Sequence, residues 1–146
     1  MSFLQKFLGV CKSRAYDEGI RCYDEGRFEE ALRLFESTLT ETRDVMVQKL
    51  AKFYIAESHT QLGQSAYRRG QYEVASQHFA QALEIHPHYA DLHFQRALAL
   101  RKLRQYEDAL AHIEEALKIN ARFAKAVLYK GILLYETGQR EAGLQH

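Results

Sequence analysis

The sequence predicts an all-α protein made of one helix-turn-helix unit repeated along the chain, and three observations carry that prediction. Tyr72, Ala75, Phe79, Ala82 and Leu83 fall at helical spacing after Gly70 and before Pro87, so a turn, an amphipathic helix and a stop signal sit side by side. The same residue types return 34 residues on, at Tyr106, Ala109, Ile113, Ala116 and Leu117, and stand 44 residues back, at Phe28, Ala31, Phe35 and Leu39. One proline and eight glycines in 146 residues leave room for little besides helix and short turns. A single unit cannot bury its apolar face alone, whereas stacked units share one continuous core.

At the N-terminus, Phe3, Leu4, Phe7 and Leu8 lie on one side of a short helical stretch, residues 1–11. It either covers the end of the first unit or serves as a docking or membrane-surface helix, with only Lys6 and Lys12 to meet headgroups. The first unit spans residues 12–43, with Ala15, Gly19 and Cys22 inward, Gly26 at the turn and a second helix from Phe28 to about Thr42. Ten extra residues follow. Asp44 is placed to cap a long helix running to Arg69, with Val47, Leu50, Tyr54, Ser58, Leu62 and Ala66 as its stripe.

The second unit, residues 44–89, closes with Tyr72 to Ile85 and the His86-Pro87-His88 turn, where proline cannot continue the helix. In the third, residues 90–123, a helix from about His88 to Leu103 buries His93, Ala97 and Leu100 against Tyr106 to Ile119. A fourth, residues 124–146, places Val127, Gly131 and Leu134 inward and a turn at Gly138, which leaves an incomplete second helix at Gln139 to His146. Burying that face is worth roughly 25 cal/mol per Å², so self-association is expected, through the C-terminal helices of two copies or a neighbour's Phe3 to Leu8 helix.

The 34-residue period, with a small residue, an aromatic and alanine spaced for two packed helices, resembles the tetratricopeptide repeat from about Lys12 onward. The resemblance implies a single domain folded as a right-handed α-α superhelix, with no cofactor. The long second-unit helix is similar to that of some immunophilin-type members. Glu18 departs from the pattern, standing where an apolar residue is usual. The family implies a non-catalytic protein-interaction module or scaffold; the competing reading is an accessory segment of a longer enzyme or signalling protein.

Composition excludes several other classes. Twenty basic against nineteen acidic residues give a formal charge of +1, no field to attract a nucleic-acid backbone. No run approaches the ~20 apolar residues that span a bilayer, and residues 1–10 lack a secretory signal's basic region, so the expected compartment is the cytoplasm. Cys11 and Cys22 are about 16 Å apart along one helix, too far to bridge, and read as small buried hydrophobes. His86, His88 and His93 invite a metal reading, but His93 falls on the core face and no further ligands complete a set. Cys22 has no histidine beside it to act as a base, and no glycine-rich phosphate loop is present.

A second stripe remains on the first helix of each unit once its core face is assigned. It comprises Tyr16, Ile20 and Tyr23; Thr60, Gln64, Tyr67 and Arg68; Phe94, Leu98, Arg101 and Lys102; and Leu128, Ile132 and Tyr135. In the tetratricopeptide family these helices line the concave face, which implies a groove for a peptide or partner helix, with aromatics and arginine as anchors. The alternative is that the first and last of these stripes are covered by other parts of the protein. Family members that clamp a C-terminal carboxylate use lysine, asparagine and arginine here, whereas the matching positions are Tyr16, Ile20, Gln61 and Asp91, or Thr60, Gln64, Gln95, Lys125 and Tyr129. Only Lys125 keeps the charge.

Overall fold

Seven helices carry the described residues, 13–144, of a computed structural model. They are α1 (Arg14–Asp24), α2 (Phe28–Glu41), α3 (Val45–Arg68), α4 (Tyr72–Ile85), α5 (Ala90–Lys102), α6 (Tyr106–Ile119) and α7 (Ala124–Leu144). Expectations for Phe3 to Leu8 and for Cys11 lie outside the described residues. The packing divides into two compact units with the boundary at Leu62 and Gly63, inside α3.

In the first unit Ser13 caps α1, its Oγ accepting from the Tyr16 N–H at 3.2 Å. Ala15, Gly19 and Cys22 are buried on α1, and Ala31, Phe35 and Thr38 on α2. A Cβ on Gly19 would stand 2.8 Å from the Phe35 ring, so this helix pair approaches as closely as it does because the residue has no side chain. Thr38, not Leu39, completes the buried face, and its hydroxyl is satisfied by the Leu34 carbonyl at 2.9 Å. Gly26 turns the chain at φ 79°, in the left-handed region. Asp44 caps α3 as expected, its Oδ1 accepting from the N–H groups of Met46 and Val47.

The stripe predicted for α3 is displaced. Val47, Ser58 and Ala66 are buried, but Leu50, Tyr54 and Leu62 are only half-buried, and Ala51, Ile55, Ala56, His59 and Gly63 complete the inner face. A long helix with neighbours on more than one side has no single apolar stripe to read.

In the second unit the end of α3 packs on α4 through Ala66, Ala75, Phe79 and Ala82, with Leu92 and Ala99 of α5 closing the cluster. A second cluster joins α5, α6 and α7 through Phe94, Ala97, Leu100, Ala109, Ile113, Ala116, Ala126 and Leu133. The α3–α4 turn uses Gly70 at φ 77°; the α5–α6 turn puts Arg104, a non-glycine, at φ 62°. Such a residue costs on the order of 1 kcal/mol in this conformation, which the repeat register imposes 34 positions after Gly70.

The fourth unit differs from expectation. Helix α7 runs straight through Gly138 with no turn. Among its described side chains Ala126 and Leu133 are buried, while Val127, Gly131 and Leu134 are exposed. The equivalent face of α5 is covered by α6; no described helix follows α7 to cover this one.

Candidate functional site

In the second unit the C-terminal end of α3 lies against one face of α5, α5 is tied in turn to α7, and four residues of the second stripe, Gln64, Tyr67, Arg68 and Leu98, come together there. Gln64 Nε2 donates to Gln95 Oε1 at 2.9 Å, and Gln95 Nε2 donates to Asp91 Oδ2 at 3.1 Å. Beside this amide chain is a hollow of about 210 Å³ lined by Gln64, Tyr67, Arg68, Phe79, Gln95 and Leu98. Tyr67 forms one wall, its ring edge-on to Tyr72 at 5.2 Å, and burial, followed by the nearby Tyr72 and Tyr129 phenols, pushes its phenol pKa up. Arg68 is exposed at the rim.

Arg101 is committed within the fold. Its Nη2 donates to Glu136 Oε1 at 2.6 Å and its Nε to the same carboxylate at 3.1 Å, while the guanidinium stands 5.7 Å from the centre of the Tyr129 ring. The Glu136 hydrogen bond raises the Arg101 pKa further. This pair ties α5 to α7. Lys102 is exposed, its ammonium 5.9 Å from the centre of the Tyr72 ring.

Phe94 requires a correction. Expected on a binding surface, it is only 6% exposed and sits in the core between Phe123, at 5.1 Å, and Tyr129, at 5.5 Å. Helix α5 is buried on adjacent sides, by α6 and by α7, so the residue left over from one core face belongs to another. On α7, Ile132 is half-buried, whereas Leu128 and Tyr135 are exposed at 61% and 68%. The first-unit members lie within their own unit. Tyr16 and Tyr23 present ring edges to Tyr54, which itself stacks on Phe35 at 5.1 Å, and Ile20 is half-buried. Burial and then Glu57 raise the Tyr23 phenol, which is hydrogen-bonded to Gln61. Glu136 was missed by sequence reasoning; a carboxylate 35 residues after an arginine, on the next unit's first helix, was the available signal.

No group of three metal-ligating side chains occurs among the described residues. His93 is buried for a different purpose: its Nε2 lies 2.8 Å from the Pro87 carbonyl oxygen and its Nδ1 lies 3.0 Å from Nδ1 of His112. A carbonyl only accepts, so His93 carries its proton on Nε2 and accepts at Nδ1 from the His112 N–H. Burial, then Arg96, then His93 lower the His112 pKa from 6.5 to about 4. The folded form therefore prefers neutral His112, and its contribution to stability is full above pH 6.5 and lost as pH falls towards 4. Melting temperature measured across that window should drop more steeply for the native chain than for His112→Gln; parallel curves would count against the imidazole pair.

A tetratricopeptide repeat profile matches residues 60–121 and 94–145. The chain belongs to the tetratricopeptide repeat family, an all-α solenoid class. Among solved structures it is similar to the C-terminal tetratricopeptide domain of a Plasmodium falciparum FK506-binding protein, with 14% identity over 88% of this chain and 89% of that one and a TM-score of 0.65. It is similar also to MamA, with 16% identity over 87% and 88% and a TM-score of 0.56. The first tetratricopeptide domain of Spaghetti (RPAP3), solved with the HSP90 peptide SRMEEVD, shares 14% identity over 85% and 90% with a TM-score of 0.52. At these identities the likeness is one of fold. A search of functionally described protein sequences gives no significant match. Among the described residues no helix is long and apolar enough to cross a membrane.

Proposed function

We propose that this chain is a non-catalytic interaction module that holds a peptide or partner helix on the face formed by the end of α3, α5 and α7. The observation that carries this reading is the hollow between Tyr67 and Leu98, apolar inside and edged by the Gln64 and Gln95 amides and by exposed Arg68. Such a site takes one apolar side chain and offers amides to the ligand backbone and a cation to a neighbouring acidic group. That the RPAP3 domain binds a peptide rich in acidic residues supports a peptide ligand of this general kind. The positions that clamp a terminal carboxylate in other members are mostly uncharged here, so recognition of an internal apolar-acidic pair is favoured over a chain terminus. Free, buried Cys22 fits a reducing, cytoplasmic setting.

Selection from a random peptide display library tests the reading. Enriched peptides should carry a large apolar residue beside Asp or Glu, and Arg68→Glu and Leu98→Ser should each weaken their binding at least about tenfold. Arg68→Glu should leave the melting temperature unchanged, because the side chain is exposed. No enrichment, or enriched peptides indifferent to both substitutions, would remove the hollow from consideration.

A further inference from the structure

Two polar residues of the second unit interrupt the apolar register of the repeat, and both line the same cleft. Arg96 on α5 stands 34 residues after Leu62, and Ser76 on α4 stands 44 after Leu32 and 34 before Leu110. Each takes a place where another unit has leucine. In the first unit the place of Arg96 belongs to half-buried Glu18, which is engaged by Arg14 at 3.1 Å.

No such partner meets Arg96. The residue is half-buried, its Nε is shielded from solvent without a hydrogen-bond partner, and no ion pair engages the guanidinium among the described residues. Ser76 is only 7% exposed, and its hydroxyl makes no hydrogen bond among the described residues. Buried donors without acceptors are uncommon, because each forfeits the bond that water supplies in the unfolded chain. Both side chains line a cleft of about 370 Å³ formed by α4, α5 and α6. Leu100 and His112 line it too, as do Glu73 and Asp108, whose residues are exposed.

We propose that this cleft binds an oxyanion, the carboxylate of an acidic side chain carried beside a basic one on a partner chain, with Arg96 and Ser76 as its donors. A guanidinium takes a carboxylate through two parallel N–H groups, and a hydroxyl donates to a remaining lone pair. Glu73 and Asp108 repel an anion that arrives alone and attract a cation beside it, so the complementary ligand is the acidic-basic pair and not a free ion. The hollow at Tyr67 and Leu98 shares no lining residue with this cleft, so the two sites stand or fall separately.

Nuclear magnetic resonance titration of the whole chain with the blocked dipeptide acetyl-Glu-Lys-amide, and separately with sodium sulfate, tests the site at an ionic strength held constant with chloride. The dipeptide should bind with a dissociation constant on the order of millimolar and shift the Ser76 amide and Arg96 Nε–H signals, and sulfate should bind at least about threefold more weakly. Arg96→Leu should raise the dipeptide dissociation constant at least about tenfold, and Ser76→Ala about threefold. Arg96→Leu should also keep or raise the melting temperature, because it removes an unpartnered donor and restores the residue type of Leu62. Cleft signals that do not move at about 50 mM dipeptide overturn the proposal. So do shifts that persist unchanged in Arg96→Leu, and so does sulfate binding as tightly as the dipeptide, which would mark an adventitious ion only. A clear fall in melting temperature for Arg96→Leu overturns it as well, since the guanidinium would then be held by the fold and not kept for a ligand.

Discussion

Phe94→Ala should lower the free energy of unfolding by about 3–5 kcal/mol, the usual cost of deleting a buried phenylalanine. The ring is 6% exposed and fills the space between α5 and α7, against Phe123 and Tyr129, so its loss leaves a cavity lined by rings that cannot collapse into it without moving a helix. Leu98→Ala, four residues on and half-buried, should cost visibly less. Urea unfolding followed by circular dichroism gives both values. If Phe94→Ala left the midpoint within the scatter of surface substitutions, the ring would be a contact surface and the packing of α7 on α5 would be wrong.

What the sequence showed and what it hid follow from how many neighbours each helix has. The 34-residue recurrence was legible because antiparallel helix pairs demand a small residue opposite a large one at fixed positions, as Gly19 is to Phe35 and Gly63 to Phe79. The Asp44 cap was legible because capping is local, decided within three residues of backbone. Helix α5 was not legible, since Leu92, His93, Phe94, Ala97, Ala99 and Leu100 are all buried and only a narrow strip is left to solvent. Such a helix has no single core face with a surface opposite it, and Phe94 lies on its second buried side. The Arg101–Glu136 pair joins two helices whose relative rotation no local pattern encodes. Gln64, Tyr67, Arg68 and Leu98, all on the second stripe, are among the residues that line the hollow, and Phe79, a core residue, lines it as well. For α7 the repeat register placed Val127, Gly131 and Leu134 inward, whereas all three are exposed and no described helix lies on them.

The sharpest test of that last distinction is one substitution made at two equivalent glycines. Gly63 and Gly131 lie 68 residues apart, two units of the repeat, and each sits within a helix. At Gly63 a Cβ would meet three carbons of the Phe79 ring at 2.7, 2.9 and 3.0 Å, and Phe79 is itself a core residue at 1% exposure. Gly63→Leu should therefore cost about 3 kcal/mol or more, the upper end of what overpacking does, despite the helix propensity it gains. At Gly131 the same change meets open space and should stabilise by up to about 0.8 kcal/mol through propensity alone. Thermal unfolding at low protein concentration reads both, and equal effects at the two sites would contradict the packing that distinguishes them. The cause at Gly63 can be isolated with a double substitution. If the ring is the obstacle, Gly63→Ala combined with Phe79→Leu should be less destabilised than the sum of the two single changes, because the shorter side chain withdraws from the added methyl group. Simple additivity would mean that the strain at Gly63 arises from the backbone and not from Phe79.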